Sequence, residues 1–406
     1  MIPLSTADLD GLGRVEAREP EFTGVQVDSR RIIPGDLFVA VGRGSEFGDD
    51  ALARGAAATL IPDDAFAALA QIGARVRERS SARVVGITGS MGKTSTKDIL
   101  FALSAPSART IAAEASYNNE IGVPLTLCRL EPETELCILE VAMRGFGQIA
   151  ELCAIARPHV GVITNIGPVH LEFVGSLDGV TRAKSELIES LPSGGTAVVP
   201  AEFPVTREDL GVVRIQAPSV TRENGRTIVD GVSFNFTARH QIPNAATALA
   251  ALGALGLPRP SSVDVDFTRS RGDEQELPGG GLLINDAYNA NPVSMRAALE
   301  YLREKANGRR RVAILGDMRE LGRTGPAYHR EIGDAIVELG VDEVLAVGEL
   351  ARDYLASGVR GRWAANVHEA LRELDDVVRP GDAVLVKGSL AVGLEAIAEA
   401  LANVSP

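Results

Sequence analysis

Short apolar runs alternate with amphipathic stretches along most of the chain. The apolar runs are bounded by Gly, Pro, Asn or Asp and predict buried strands, whereas apolar positions that repeat every three or four residues predict helices. In the central region, strands are predicted at 137–141, 160–164 and 197–199 and helices at 93–103, 146–156 and 180–191. Regular alternation of strands and helices is typical of a parallel, doubly wound sheet.

The region before residue 82 has its own pattern. Apolar runs at 24–27, 35–41 and 55–62 predict the strands of a small α/β domain. Charged residues at 75–83 predict a solvated helix end and a linker that lead into the central region.

The region after residue 270 repeats the alternation of strands and helices. A helix predicted at 244–255 is followed by a Pro-rich break at 256–262. Beyond this break, strands are predicted at 281–285, 311–315, 343–347 and 383–387, and helices at 292–304, at 327–339 and near the C-terminus. This pattern is typical of a Rossmann-like domain.

The length of the chain agrees with several domains, because 406 residues exceed the size of one ordinary hydrophobic core. We therefore predict an α/β protein of three domains. The domains are a small N-terminal α/β domain at 1–81, a central domain with a parallel sheet at 82–270 and a C-terminal Rossmann-like domain at 271–406.

Composition and charge argue against several classes of protein. A net charge of −13 disfavours a nucleic-acid-binding surface, because duplex binding depends on phosphate neutralisation by clustered Lys and Arg. No apolar run approaches the length of a membrane span, and the first residues lack the basic and apolar regions of a signal peptide, so we expect a cytoplasmic protein without membrane insertion. Cys128, Cys137 and Cys153 lack the spacing of metal ligands and are interpreted as reduced core residues.

The most specific chemical motif lies at 84–96, where an apolar strand leads through a glycine-rich turn into a helix. In such a turn backbone N–H groups surround phosphate oxygens, the lysine reaches the β and γ phosphates, and the threonine hydroxyl binds Mg²⁺. The strict pattern has glycine where this chain has Ile87, so the motif is a variant, and a plain helix-capping turn is the alternative. The predicted phosphate-binding residues are Gly89, Ser90, Met91, Gly92, Lys93, Thr94 and Ser95.

Other polar residues follow predicted strands, where open α/β sheets bind their ligands. Glu140 is a candidate Mg²⁺ ligand beside the phosphate loop, and a buried, salt-bridged glutamate is an equally good interpretation. His170 follows a strand, although a lone histidine is more often structural. Lys184 begins a predicted helix, where a solvated lysine is the ordinary interpretation. The polar loop at 285–292 favours a ligand, with local turn formation as the alternative.

Taken in order, several segments resemble the Mur ligases of bacterial cell-wall synthesis, and the likeness covers nearly the whole chain. These segments are 28–30, 34–40, 88–94, 117–126, 165–172, 183–186, 286–292 and 315–318. Within that family, Asn-Asn-Glu-Ile-Gly-Val-Pro at 118–124 and Tyr-Asn-Ala-Asn-Pro at 288–292 are most similar to the ligase that adds D-alanyl-D-alanine.

The resemblance implies an ATP-dependent, ADP-forming amide ligase of peptidoglycan precursor synthesis. The γ-phosphoryl group of ATP would pass to the terminal carboxylate of UDP-N-acetylmuramoyl-tripeptide, and the amine of D-alanyl-D-alanine would attack the resulting acyl phosphate. Phosphorylation is chemically necessary because oxide is a poor leaving group. The resemblance also implies that the first domain binds the UDP precursor, the second binds ATP and the third completes the ligase. A monomer with small-molecule substrates is expected.

Residue roles are carried over only where the motifs match. Lys93 would balance phosphoryl charge, and Thr94 with Glu140 would hold one Mg²⁺. A second Mg²⁺ would be held by His170 and by a CO₂-derived carbamate on Lys184, which turns a cation into an oxygen donor. The predicted catalytic residues are Lys93, Glu140, His170 and Lys184. The predicted nucleoside contacts are Asn244, Arg271, Tyr288 and Asn289. The predicted precursor contacts are Asp28, Ser29, Arg30, Asn118 and Asn119, the last two facing either the precursor or ATP.

Gln241 and Leu390 depart from the family pattern, which usually has Asn and Arg at these positions. Three alternatives to the ligase remain open. One is a related ligase with a different carboxylate acceptor, because the fold does not identify the acceptor. The others are a nucleotide-binding regulator without turnover and a small-molecule kinase, although a kinase would leave 288–292 and the third domain unexplained.

Overall fold

The computed structural model describes residues 1–268 and 272–403, which form two compact units. Unit 1 consists of 1–165, 182–237 and 241–266. Unit 2 consists of 166–181, 238–240 and the described residues from 267 onwards. The segments 166–181 and 238–240 thus belong to unit 2, whereas the predicted central domain includes them. The predicted boundary at residues 270 and 271 lies outside the described residues.

The first part of unit 1 is built on a small mixed sheet. Its elements are β1 (Leu4–Ser5), β2 (Gly13–Ala17), β3 (Glu21–Phe22), β4 (Gly24–Gln26), β5 (Asp36–Val39), α1 (Gly48–Ala53), β6 (Ala58–Pro62) and α2 (Ala65–Glu78). The sheet has the order β2-β6-β5-β4, with β2 antiparallel to β6 and the other pairs parallel, while β1 and β3 pair separately. The small N-terminal α/β domain predicted from the sequence is therefore present.

The segment at 75–83 contains the helix end and linker that its charges predict, and its charged residues are partly or fully exposed except Arg77. Helix α2 continues to Glu78, and Arg77 is buried. The guanidinium of Arg77 donates to the main-chain oxygens of Ala156 (2.9 Å) and Ser80 (3.0 Å). Because one arginine carries five N–H donors, it can satisfy carbonyls at the ends of two helices and is stable inside the protein.

The central part of the chain forms a parallel six-stranded sheet. The elements in order are β7 (Arg83–Thr88), α3 (Lys93–Ser104), β8 (Thr110–Ala112), α4 (Gly122–Leu127), β9 (Leu136–Glu140), α5 (Gln148–Ala156), β10 (Val160–Ile163), α6 (Leu171–Val174), α7 (Leu177–Glu189), β11 (Thr196–Pro200) and β12 (Gly211–Ile215). The strand order is β12-β11-β10-β7-β9-β8, and every pair is parallel, as predicted.

A second, smaller sheet of unit 1 was not predicted. It contains β13 (Val220–Glu223), β14 (Arg226–Val229), β15 (Val232–Phe234) and, after α8 (Gln241–Ala254), β16 (Ser262–Val263). The hairpin turns at Asn224-Gly225 and Asp230-Gly231 have positive φ at both residues, which is the geometry of tight hairpins. Short strands with many exposed residues gave little apolar signal in this region.

Most of unit 2 is an α/β layer built on another six-stranded sheet. Its elements are β17 (Asp273–Leu277), β18 (Gly281–Asp286), α9 (Pro292–Lys305), β19 (Arg311–Gly316), α10 (Gly325–Glu338), β20 (Glu343–Val347), β21 (Gly361–Ala364), α11 (Val367–Val377), β22 (Ala383–Lys387) and α12 (Glu395–Ala402). The order is β17-β18-β22-β19-β20-β21, and only β17 is antiparallel to its neighbour. The predicted α/β class with a Rossmann-like C-terminal domain is confirmed.

Two further expectations concern the chain as a whole. Among residues 1–268 and 272–403, no helix is long and apolar enough to cross a membrane. Cys128, Cys137 and Cys153 are buried free thiols, and burial raises the pKa of each to about 12. The interpretation of the cysteines as reduced core residues is confirmed.

Candidate nucleotide and metal site

Three neighbouring strands of unit 1 bring the candidate site together. Strand β7 lies between β9 and β10, with Ile87 paired to Glu140 and Thr88 paired to Ile163. Since the strands are parallel, their carboxyl ends meet at one edge of the sheet. The phosphate loop after β7, the carboxylate that ends β9 and the residues after β10 therefore lie side by side.

Two positions of the phosphate loop require glycine, because neighbouring side chains approach the backbone closely and because the backbone has positive φ. Gly89 has φ +150° and Gly92 has φ +73°. A Cβ atom on Gly89 would lie 1.9 Å from Oγ1 of Thr164, and one on Gly92 would lie 2.1 Å from Oδ1 of Asn244. Side chains at either position would collide with groups that line the loop, which explains glycine at these positions.

Residues after β10 support the phosphate loop. The Met91 N–H donates to Oδ1 of Asn165, and Asn165 Nδ2 donates to the Met91 carbonyl, both at 3.0 Å. Thr164 Oγ1 also donates to the Met91 carbonyl (2.5 Å). The Lys93 ammonium donates to the Gly89 carbonyl (2.9 Å), so the predicted lysine lies over the loop. Sequence reasoning missed Thr164 and Asn165, although their place after a strand next to β7 was a usable signal.

A buried cluster of oxygen and amide groups surrounds Glu140. The carboxylate is 1% exposed and accepts from Thr94 Oγ1 at 2.8 Å and from Asn118 Nδ2 at 2.7 Å. Thr94 Oγ1 also lies 3.2 Å from Ser116 Oγ. Within the described ranges, no basic side chain forms an ion pair with Glu140, so the salt-bridged alternative does not apply. Carboxylate and hydroxyl oxygens are the ligands that Mg²⁺ prefers, so this cluster fits that ion.

Lys184 is a buried lysine, 2% exposed, in the middle of α7 rather than at the start of a helix. Its pKa lies well below the usual lysine value of 10.5, mainly because burial disfavours the charged amine and secondarily because Lys93 repels it. The solvated-lysine alternative is therefore wrong. A neutral amine is a nucleophile, whereas an ammonium ion is not.

Asn244 reaches the phosphate loop from helix α8, which packs against α3. Its side chain is mostly buried and lies against Gly92, since a Cβ atom added at that glycine would collide with the Asn244 side chain. Asn244 Nδ2 donates to Oε1 of Gln241 at 2.9 Å. Gln241, which departs from the family pattern, thus supplies an acceptor that orients Asn244.

Several predicted precursor-binding residues make local hydrogen bonds. Asn119 Oδ1 accepts from the N–H groups of Ile121 and Gly122 at the beginning of α4. Asp28 precedes a 3-10 helix, and its carboxylate pairs with the Arg30 guanidinium at 2.6 Å. This hydrogen-bonded pair lowers the pKa of Asp28 to about 2. Ser29, which lies between Asp28 and Arg30 in the sequence, is buried.

Other predicted residues belong to unit 2. His170 has φ +54°, and its Nδ1 lies 2.5 Å from Oε2 of Glu320. The main-chain oxygen of Asn289 accepts from the buried Lys387 ammonium (2.8 Å), which also pairs with Asp286 at 2.6 Å. Tyr288 is half-buried in the same loop. Arg271 lies outside the described residues.

The predicted metal ligands therefore come from both compact units, with Thr94, Glu140 and Lys184 in unit 1 and His170 in unit 2. In the part of the chain that the structure describes, no group of three or more His, Cys, Asp or Glu is placed to hold a metal ion by itself. A metal at the phosphate loop would depend on hydroxyl oxygens and nucleotide phosphates in addition to Glu140.

Comparison with known proteins agrees with this geometry. Residues 87–252 match the Mur ligase middle domain, and residues 274–390 match the Mur ligase, glutamate ligase domain. The UDP-N-acetylmuramoyl-tripeptide--D-alanyl-D-alanine ligase of Synechocystis sp. is 32% identical, covering 95% of this chain and 93% of its own length. The Escherichia coli protein of the same name is 31% identical, covering 99% of each chain.

Solved structures give the same result for the fold. Crystal structure I of MurF from Acinetobacter baumannii has a TM-score of 0.84 and 27% identity, covering 98% of this chain and 99% of its own. The crystal structure of MurF ligase from Thermotoga maritima in complex with ADP has a TM-score of 0.77 and 26% identity, covering 93% of this chain and 97% of its own. The chain belongs to the Mur ligase family.

Proposed function

We propose that this protein is an ATP-dependent, ADP-forming ligase that joins D-alanyl-D-alanine to UDP-N-acetylmuramoyl-tripeptide in peptidoglycan precursor synthesis. The observation that carries the proposal is the buried cluster of Thr94, Asn118 and Glu140 beside a phosphate loop. This cluster occurs in a chain whose relatives with that name are similar over nearly their whole length. We also propose that the reaction takes place in the cytoplasm and that the protein acts as a monomer.

The phosphate loop would hold the triphosphate of ATP. Backbone N–H groups at the N-terminus of α3 attract phosphate oxygens, and Lys93 would exchange its hydrogen bond to the Gly89 carbonyl for one to a phosphate. Thr94 and Glu140 would hold one Mg²⁺, for which their oxygens are suitable donors. When bound, the ion neutralises charge on the transferring phosphoryl group. Asn118 would orient the Glu140 carboxylate through its hydrogen bond.

Lys184 and His170 would hold a second Mg²⁺. Burial lowers the pKa of Lys184 and so favours its unprotonated amine, which would attack CO₂, forming an N–C bond and losing one proton to water; the resulting carbamate carries two metal-binding oxygens. The Glu320 carboxylate at Nδ1 of His170 favours the proton on that nitrogen and makes Nε2 the metal-binding atom. Carboxylates commonly orient metal-binding histidines in this way.

The remaining assignments concern substrate recognition. Asn244, Arg271, Tyr288 and Asn289 are proposed nucleoside contacts, and the orientation of Asn244 by Gln241 supports the first of them. The N-terminal domain would bind the UDP precursor. Its proposed contacts are Asp28, Ser29 and Arg30, together with Asn118 and Asn119 of the central region. The carboxylate of the bound precursor would accept the γ-phosphoryl group, and the D-alanyl-D-alanine amine would then displace phosphate.

The proposal is tested by measuring phosphate release from ATP with each substrate alone and with both together. The mass of the UDP-linked product is determined by mass spectrometry. We expect release that requires both substrates and a product heavier by one dipeptide unit. Lys93→Met should abolish release, whereas Lys305→Met, a change on α9 of unit 2, should not alter it. A stable phosphorylated product without release of phosphate would indicate a kinase. Phosphate release that does not require D-alanyl-D-alanine would indicate ATP hydrolysis, and either result would contradict the ligase.

A further inference from the structure

A second buried lysine lies one turn beyond Lys93 in α3 and has no place in the chemistry described above. Lys97 is 2% exposed. Its ammonium donates to the main-chain oxygens of Ala113 at 2.8 Å and Ala115 at 2.7 Å, and it lies 3.1 Å from the Asp98 carboxylate. A buried ammonium is expensive unless its donors are satisfied, so these contacts determine where the neighbouring backbone can lie.

The backbone held by Lys97 leads directly to the Glu140 cluster. Ser116 and Asn118 follow the bonded carbonyls, and their side chains contact Thr94 and Glu140. The main-chain oxygen of Asn118 also accepts from the Ala142 N–H at 2.9 Å, just beyond Glu140. Lys97 therefore holds one end of a short segment whose other end contacts the proposed metal ligands.

The segment does not adopt this path by local preference alone. Ala115 has φ +45°, a left-handed conformation that is unfavourable for alanine. The Lys97 ammonium binds the carbonyls of Ala113 and Ala115 and so restrains the backbone in this conformation. The Arg31–Glu114 pair on the outer side is exposed at both residues and contributes little to holding the segment. The buried Lys97 ammonium is the stronger restraint.

We propose that Lys97 is a positioning residue for the metal site. By fixing the carbonyls of Ala113 and Ala115 it places Ser116 and Asn118, and through them the Thr94 hydroxyl and the Glu140 carboxylate. This inference rests on the proposed function only in taking Thr94 and Glu140 as metal ligands. Loss of Lys97 should weaken metal binding while leaving the phosphate loop able to bind nucleotide.

The test uses Mn²⁺ as the metal probe, because its free-ion electron paramagnetic resonance signal disappears on binding. Mn²⁺ is titrated into the full-length protein saturated with ADP, and ADP binding without metal is measured separately by calorimetry. For Lys97→Met we expect the Mn²⁺ dissociation constant to rise about 10- to 100-fold, the range typical for loss of an orienting group. Metal-free ADP affinity should stay unchanged, and hydrogen exchange at 114–118 should become faster.

Arg77→Met is the matched control. Arg77 is also a buried cation of unit 1 that donates to main-chain oxygens, but its partner Ala156 precedes β10, at the sheet edge opposite the phosphate loop. We expect this variant to lose stability without any change in Mn²⁺ affinity. If Lys97→Met does not fold, Lys97→Gln, which keeps one amide donor for a carbonyl, is measured in the same way.

Two results would overturn the inference. One is wild-type Mn²⁺ affinity in a folded Lys97 variant, and the other is an equal loss of affinity in Arg77→Met. Failure of the proposed function is recognised separately, since wild-type protein would then bind ADP and Mn²⁺ but would not join the two substrates. In that case the comparison of Mn²⁺ affinities still tests Lys97.

Discussion

Two equally buried lysines have opposite surroundings and should respond oppositely to the same substitution. Lys184 and Lys387 are each 2% exposed. Lys387 forms an ion pair with Asp286 at 2.6 Å, whereas Lys184 forms no ion pair among the described residues, and its pKa is strongly lowered by burial. We predict that Lys184→Met raises the free energy of unfolding in CO₂-free buffer and that Lys387→Met lowers it.

The size of the first effect depends on pH. The unfolded chain protonates Lys184 below about pH 10.5, whereas the folded protein keeps it neutral to a much lower pH. Between the folded and unfolded pKa values, the unfolded state binds one more proton. Each pH unit of decrease within this window should therefore lower wild-type stability by about 1.4 kcal/mol relative to Lys184→Met. Below the folded pKa the difference stays constant.

The second effect has a different origin. Lys387→Met would leave the Asp286 carboxylate without its charged partner, and the loss of such a hydrogen bond costs about 1.5–3 kcal/mol. Because Asp286 is partly exposed, the lower end of this range is expected. Lys387→Met therefore serves as the control for removing a buried lysine of the same size.

Hydrogen exchange in increasing urea measures both effects, because peptides from 182–189 in α7 and peptides from β22 report on units 1 and 2 separately. The stability difference between Lys184→Met and wild type should grow as pH falls below about 10 and should level off below the folded-state pKa. Added bicarbonate should stabilise the wild type and not Lys184→Met, since only the lysine can form a carbamate. A difference that does not vary with pH, or a loss of stability in Lys184→Met like that of Lys387→Met, would show that burial does not lower the pKa of Lys184.

Three further variants test the site. Glu140→Gln should reduce ADP affinity with Mg²⁺ to the metal-free value in calorimetry, and a retained Mg²⁺ effect would contradict its role. Gly92→Ala should weaken ATP binding at least about tenfold, because left-handed alanine costs about 1–2 kcal/mol and its Cβ would meet Asn244, and wild-type ATP affinity in this variant would contradict that fit. Asp28→Asn should raise KM for the UDP precursor in steady-state assays, and a change confined to the KM for ATP would argue against that contact.

Much of the fold follows from local signals in the sequence. The buried strands β7, β9, β10 and β11 are short apolar runs, and the helices between them have clear amphipathic periods. The phosphate loop was also predictable, because it combines a strand, glycines, Lys93 and Thr94 within a few residues. Parallel pairing then implied that Glu140 would lie at the edge where the loop begins.

Other features depend on contacts between distant residues. Asn165 is an ordinary turn residue in the sequence, and only the pairing of β7 with β10 reveals that it holds Met91. The charge of Arg77 predicted a solvated position. This prediction was wrong because the carbonyl of Ala156, to which the Arg77 guanidinium donates, is far away in the sequence. The β13–β16 sheet was missed although Asn224-Gly225 is a strong hairpin signal, because its strands are short and weakly apolar.

The most direct test of the proposed acyl phosphate uses UDP-N-acetylmuramoyl-tripeptide labelled with ¹⁸O in its terminal carboxylate. The precursor is incubated with ATP and D-alanyl-D-alanine, and the phosphate released is analysed by mass spectrometry. An acyl phosphate requires one carboxylate oxygen to leave with the phosphoryl group, so we predict phosphate carrying one ¹⁸O together with ADP and the extended precursor. Unlabelled phosphate, or AMP in place of ADP, would contradict it.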